Sequence, residues 1–416
     1  MTVASPTPEY ARRWQRVMDC VALKTPDRLP VGFLMNFWLA RYAGISHRQQ
    51  MYDYDTVAAI AERLCREFEP DFFTSPYAMT TFGPMLDAID FRQLEWPGHG
   101  VGEDRPYQYI DREYMTADEY DDFLFDPTGF YYAKYLPRVA GAFDGLAPLA
   151  AVTGSAYLGV GFATLAFGAA PLRQAFERLE AASRVVRGQI EHEIGFARRM
   201  AALDTPLGLG LIASAPYDAM ADFFRGATGM MKDLYRRGDK VLEALDKMAT
   251  LIVRRALAQA KFAPNPLVFI PVHWAPDPFM SQKQFETFWW PSFKKMVLAL
   301  IDGGLIPMPL WESDCTRRLE TLRELPAGRC IHWFEKTDLR RAFEVLGDVA
   351  ALRGGLSSSL LTTASPEQID SAVRDLVEGV FHRGGKLIFD SGFGIPDETP
   401  LENVRAMFNA VRRYGS

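Results

Sequence analysis

Val268-Phe-Ile-Pro-Val-His273-Trp-Ala-Pro-Asp277 sets an apolar run directly before a histidine and a Pro-Asp turn. Four residues later Ser281…Gln284 has the spacing of a capping box, in which a hydroxyl accepts from the third backbone N–H and the third side chain reaches back. The segment therefore reads as a buried strand, a polar tip and a helix start. The same order recurs through the C-terminal half. Strands are expected at residues 267–273, 306–312, 329–335, 349–356 and 386–392, each followed by a helical pattern. Ser365…Gln368 and Thr399…Glu402 repeat the capping-box spacing, each with a proline at the first helical position. Strand–helix units in series with no hairpin between them imply a parallel sheet with right-handed crossovers.

Residues 29–35, 71–76 and 206–214 read as three further strands, which brings the total to eight. The expected fold is α/β, a (β/α)8 TIM barrel formed by one domain spanning residues 1–416. A large, mostly helical insertion, residues 77–203, follows the second strand and is expected to form a cap, a lid or a dimer surface. An open doubly wound sheet would place a Gly-rich turn after its first strand, and none is present. The Gly-rich stretch GSAYLGVGF lacks the Lys-Ser/Thr of a phosphate loop, so no nucleotide cofactor is expected.

Composition narrows the function. A net charge of -6 and a pI near 5.7 argue against nucleic acid, which needs a clustered positive field. Four cysteines without a CxxC pair fit neither a disulfide framework nor a thiolate zinc knuckle. The N-terminus has no basic-then-apolar leader, and no run is long enough to span a membrane, so a cytoplasmic enzyme is expected.

In a parallel α/β fold, chemistry gathers at the C-terminal ends of the strands. His273, Glu312 and Asp390 fall there and are the expected catalytic set. They are also the expected ligands of a divalent metal such as zinc. Asp338 also ends a strand but reads as a helix cap. Tyr217, Asp218, Arg225, Trp274, Asp277, Trp311 and Arg353 are candidate substrate contacts. Arg353 suits the two-pronged grip of a carboxylate or phosphate.

Four segments carry a family resemblance: RWQRVMDCVALKTPDRLPV (13–31), HWAPDPFMSQKQFETFWWPSFKKMV (273–297), FEKTDLRRAFEVLGDVAALRGG (334–355) and FDSGFGIPDETPLENVRAMFNAVRRYG (389–415). Together they resemble the uroporphyrinogen decarboxylase superfamily. That resemblance implies a (β/α)8 barrel and either tetrapyrrole decarboxylation or methyl transfer involving a corrinoid. Two departures matter. The arginine-rich segment that grips tetrapyrrole propionates is replaced by GFLMNFWLARYAG (32–44), whose one arginine is Arg41. The His-x-Cys and distant Cys of the zinc methyltransferases correspond to Leu310, Glu312 and Phe393. The resemblance therefore implies the divergent, corrinoid-methyltransferase-like branch. The expected reaction moves a methyl group between a small methylated substrate, such as an aryl methyl ether, and a corrinoid co-substrate that arrives free or on a corrinoid protein. Phe33, Phe37, Trp38, Trp274, Trp311 and Trp333 would supply an aromatic pocket. The alternative is a lyase or decarboxylase for a small carboxylate, held by Arg353 with His273 managing the proton. A homodimer is the expected assembly.

Overall fold

The computed structural model describes residues 7–152 and 154–416; residues 1–6, read above for a leader, lie outside it. Eleven strands occur among the described residues. They are β1 (Gly32–Phe33), β2 (Phe72–Phe73), β3 (Leu94–Pro97), β4 (Gly100–Val101), β5 (Gln108–Tyr109), β6 (Leu211–Ile212), β7 (Leu267–Val272), β8 (Ile306–Trp311), β9 (Ile331–Phe334), β10 (Ala351–Leu356) and β11 (Leu387–Ser391). β6 to β11 form a parallel six-stranded sheet in sequence order, and β1 pairs with β2 in parallel. Parallel bridges Val31–Phe389 and Phe73–Leu207 tie this pair to both edges of the larger sheet. The protein is thus α/β, with helices between successive parallel strands.

Residues alternate between two sides of the sheet, as a period of two requires. Val268, Ile270, Val272, Leu352, Leu387 and Phe389 join the large core shared with the helices. Leu267, Phe269, Met308, Leu310, Ile331, Trp333, Ala351 and Ile388 form a separate inner core with Leu34 and Phe72. Val17, Cys20 and Val21 of the first helix, Pro8–Val21, close that core at one end. Continuing the same parity, His273 and Glu312 are inner-side positions, whereas Trp311 faces the helices.

Two of the three expected capping boxes form, at Ser281 and Ser365. The third does not: Pro400 occupies the cap position before Leu401–Tyr414, and the Thr399 hydroxyl is buried without a partner. Asp338 caps the helix Leu339–Leu346 by accepting from the Arg340 N–H, as its position predicts. The segment between β2 and β6 is mostly helical and ends in the long helix Ala170–Ala202. It also carries the small three-stranded sheet β4-β3-β5, which the sequence reading did not anticipate.

Candidate active site

His273 is the first residue beyond β7, and Glu312 the first beyond β8. Their strands pair with Val272 opposite Trp311, and the Glu312 N–H donates to the Val272 carbonyl. This register carries both side chains to the same side of the same strand ends. Imidazole Nε2 lies 3.3 Å from Glu312 Oε1, and both groups keep roughly a third of their surface exposed (36% and 30%).

The other face of the imidazole is held from the segment after β6. There Pro216–Asp218 runs into a wider helical turn, Ala219–Arg225, which is wound in the i→i+5 pattern and ends at Gly226 with a φ of 68°. Such turns re-aim side chains and often occur at functional positions. Asp218 and Asp222, four residues apart, both point to His273. Asp222 Oδ2 lies 2.7 Å from His273 Nδ1, and Oδ1 accepts from the Trp274 indole at 2.6 Å. Asp218 Oδ1 accepts from the backbone N–H of His273 at 2.5 Å and of Trp274 at 3.2 Å, while Oδ2 accepts from the Trp289 indole at 2.6 Å. The imidazole is thus fixed in position and flanked by a carboxylate on each nitrogen.

The electrostatics follow from that arrangement. Burial alone would lower the His273 pKa, but the hydrogen bonds to Asp222 and Glu312 outweigh it and push it up to about 11. Burial, then the nearby Asp222 charge, raises Asp218 to about 7. Asp218, Asp222 and His273 offer three ligand atoms within 4.8 Å of one another, a grouping with the chemistry to hold a cation. All four cysteines are free and buried, and none lines this site.

A cavity of about 250 Å³ opens beside the histidine, lined by Tyr109, Ile110, Phe223, Trp274, Asp111 and Asp222 among others. No lysine or arginine lines it. Tyr109 comes from β5, and its ring lies 6.0 Å from that of Phe223. The small sheet and the turn after β6 therefore meet over His273.

Several expected site residues are elsewhere. Asp390 and Arg353 are both buried on the inner side, where Arg353 Nη2 and Asp390 Oδ2 meet at 2.5 Å. The guanidinium also lies 3.6 Å from the Trp333 ring centroid and 4.8 Å from that of Phe72. Gly32 permits this packing, since a Cβ there would meet Asp390 Oδ2 at 2.6 Å. Asp390 therefore does not join His273 and Glu312, and Arg353 is not free to grip a substrate. Arg225 is likewise enclosed, 2.6 Å from Asp233 and donating to the Met115 carbonyl.

Trp311 packs between β8 and the helices against Trp289 and Phe293, away from the cavity. Phe33 packs on Phe68, Phe73 and Phe408 in that same outer layer. Tyr217 is buried beside Asp218. Asp277 braces the loop after β7, accepting from the Arg317 N–H at 3.0 Å with Arg318 3.4 Å away. Of the expected contacts, Trp274 lines the cavity and Asp218 supports the histidine. Asp222, Phe223 and Tyr109 were missed. The Asp218/Asp222 spacing was a readable signal, four residues apart just after a strand, whereas nothing local marks Tyr109.

Comparison with known proteins agrees with this architecture. The profile of the family described as uroporphyrinogen decarboxylase (URO-D) matches residues 167–414. The chain belongs to the URO-D family. Uroporphyrinogen decarboxylase of Coxiella burnetii (strain RSA 493 / Nine Mile phase I) is 26% identical over 182 residues, 44% of this chain and 49% of the relative. That of Pseudoalteromonas atlantica is 28% identical over 141 residues, 33% of this chain and 39% of the relative. The chain thus spans about half or less of the length of these curated relatives. A methyltransferase from Methanosarcina mazei superposes over 97% of this chain and 98% of its own with a TM-score of 0.62 at 15% identity, which shows a shared fold. No described helix of this URO-D family member is long and apolar enough to cross a membrane.

Proposed function

We propose that this URO-D family protein is a methyltransferase, moving a methyl group between a small, uncharged methylated substrate and a corrinoid. Its parallel strands form a (β/α)8 barrel, a reading supported by the two bridges that join β1 and β2 to opposite edges of the six-stranded sheet. The segment bearing β5 acts as a lid over the strand ends. The observation that carries the reading is His273, paired with Glu312 and lining an aromatic cavity that holds no lysine or arginine. A methyl group bonded to oxygen transfers when the departing oxygen's charge is neutralised. His273, held protonated between two carboxylates, is built to supply that proton from Nε2.

The donor set also suits zinc. Nε2 and Oε1 lie 3.3 Å apart, a natural separation for two donors sharing one ion at bonds of about 2.0–2.1 Å. Asp222 would then orient the imidazole through Nδ1, the carboxylate–histidine arrangement usual behind a metal. Asp218 has both oxygens committed to N–H donors, so it serves better as a brace than as a ligand. Zinc bound by His273 and Glu312 would displace the Nε2 proton to solvent and, in place of that proton, would neutralise the substrate's heteroatom as a Lewis acid. Asp390 has no part in this set.

The decarboxylase alternative has the names of the curated relatives in its favour. No arginine or lysine lines the cavity to grip a carboxylate, and Arg353 and Arg225 already hold aspartates. The test is to incubate zinc-loaded and metal-free protein with cob(I)alamin and a panel of aryl and alkyl methyl ethers. Methylcobalamin formation that is lost in His273→Ala is expected. No methylation with any donor, together with CO2 release from a small carboxylate, sinks the reading.

A further inference from the structure

The cavity beside His273 carries one polar group to which methyl transfer assigns no task. Asp111 stands two residues past β5 and lines the cavity together with Tyr109 and Ile110. It is held in place: Oδ1 accepts from the Ala227 N–H at 2.9 Å, where the helix Ala227–Arg236 begins. Gly226 admits this contact, since a Cβ there would stand 3.0 Å from the same oxygen. Among the described residues, Oδ2 has no hydrogen-bond or ion-pair partner. Asp222, the other carboxylate on the wall, commits both oxygens to the His273 imidazole and the Trp274 indole. Asp111 Oδ2 is therefore the carboxylate oxygen left for a ligand.

The rest of the wall selects by shape and polarity. Tyr109, Phe223 and Trp274 supply three rings, and Ile110 and Ala227 add aliphatic surface. At about 250 Å³ the cavity exceeds the roughly 150 Å³ that takes a benzene, so one ring with small substituents fits. Aromatic walls favour such a ring through offset or edge packing. A carboxylate only accepts hydrogen bonds, so the ring that satisfies Asp111 carries a donor. On an uncharged ether that donor is a hydroxyl. A ring with its own carboxylate would meet Asp111 and Asp222 with no lysine or arginine on the wall, and the His273 imidazole already stands between Asp222 and Glu312.

We propose that Asp111 sets the substrate class: the cavity takes a methoxyphenol, whose free hydroxyl donates to Asp111 Oδ2 while its methoxy group lies toward His273. Methoxybenzoates are rejected by the same carboxylate. The inference rests on the methyl-transfer reading, and Asp111 acts in selection alone, with no part in moving the methyl group or the proton.

Isothermal titration tests it on the full chain, without corrinoid and stripped of metal so that no ion attracts a carboxylate. The ligands are 2-, 3- and 4-methoxyphenol, anisole, 4-methoxybenzoate and 4-methoxybenzylammonium. The best methoxyphenol should bind about tenfold tighter than anisole, as a hydrogen bond to a charged, partly solvated acceptor gives. The benzoate should bind weakest. Asp111→Asn keeps an oxygen for the Ala227 N–H and removes the charge. It should narrow the methoxyphenol preference to within about threefold and strengthen the benzoate several-fold. Equal affinity for anisole and every methoxyphenol in the parent overturns the proposal, as does an unchanged preference in Asp111→Asn. So does an ammonium that outbinds every methoxyphenol, or a chain that binds none of the rings at about 10 mM. Turnover separates the two readings. Methylcobalamin made equally well from anisole overturns this inference and leaves methyl transfer standing. Asp111-dependent binding without any methyl transfer removes the reaction and leaves the selectivity of Asp111 standing.

Discussion

Two charged clusters lie on the inner side of one parallel sheet and behave as opposites. Arg353 and Asp390 are buried, stacked between Trp333 and Phe72, and closed on each other. His273 and Glu312 are about a third exposed, and His273 lines a cavity. Depth along the strand makes the difference. Arg353 and Asp390 lie within β10 and β11, whereas His273 and Glu312 each stand one residue past a strand end. An ion pair inside the core holds structure, while charges at the rim remain available for chemistry.

The sharpest way to break this comparison is at the buried pair. Asp390→Ala should cost about 3–5 kcal/mol by leaving the Arg353 charge uncompensated in the core. Replacing both partners with apolar residues, as in Arg353→Met with Asp390→Leu, should recover most of that loss. Urea denaturation reads both, and a loss below about 1 kcal/mol for the single variant would show that the pair is dispensable. At the rim the balance should invert. His273→Ala should reduce methyl transfer about a thousandfold while its unfolding midpoint stays close to that of the parent.

A second histidine sharpens the contrast between the faces of a strand. His332 points from β9 toward the helices, fully buried, with Nδ1 accepting from the Trp311 indole at 3.1 Å. Burial depresses its pKa from 6.5 to about 3, so it stays neutral while the unfolded chain's imidazole takes up a proton. Above pH 6.5 both states are neutral and no penalty applies; stability is then lost as pH falls from 6.5 toward 3. By about pH 4.5 the loss from this group should reach about 2–3 kcal/mol. His332→Leu should remove that part of the acid sensitivity, read as a flatter dependence of the unfolding midpoint on pH. An unchanged slope would show that this imidazole is not held neutral by the core.

The smallest expected effect is behind the imidazole. Asp222→Asn keeps a hydrogen-bond acceptor near Nδ1 but removes the charge. It should weaken zinc binding about 10- to 100-fold by isothermal titration, with little change in fold. Full-strength binding in that variant would move the metal away from His273.

The strand ends, two of the three capping boxes and the placing of His273 beside Glu312 could be read from local pattern, because each depends on residues within one strand–helix unit. A strand's parity even assigns Glu312 and Trp311 to opposite sides, although aromatic character alone had suggested that Trp311 lines the site. The pairing of Arg353 with Asp390 was not legible. It depends on the register of β10 against β11 and on Gly32 leaving room from a strand more than 300 residues away. Nor was Tyr109, which reaches the cavity from a small sheet with no apolar periodicity to announce it.

The sequence by itself determined the parallel α/β architecture, since period-two runs followed by capped amphipathic helices have few other ways to bury their apolar faces. It also determined that ionisable groups would collect at strand ends. Only the tertiary structure decided which of those groups became a working set. Burial and partner choice are set by neighbours distant in the chain, and they turn one arginine–aspartate pair into core and leave one histidine open to a ligand.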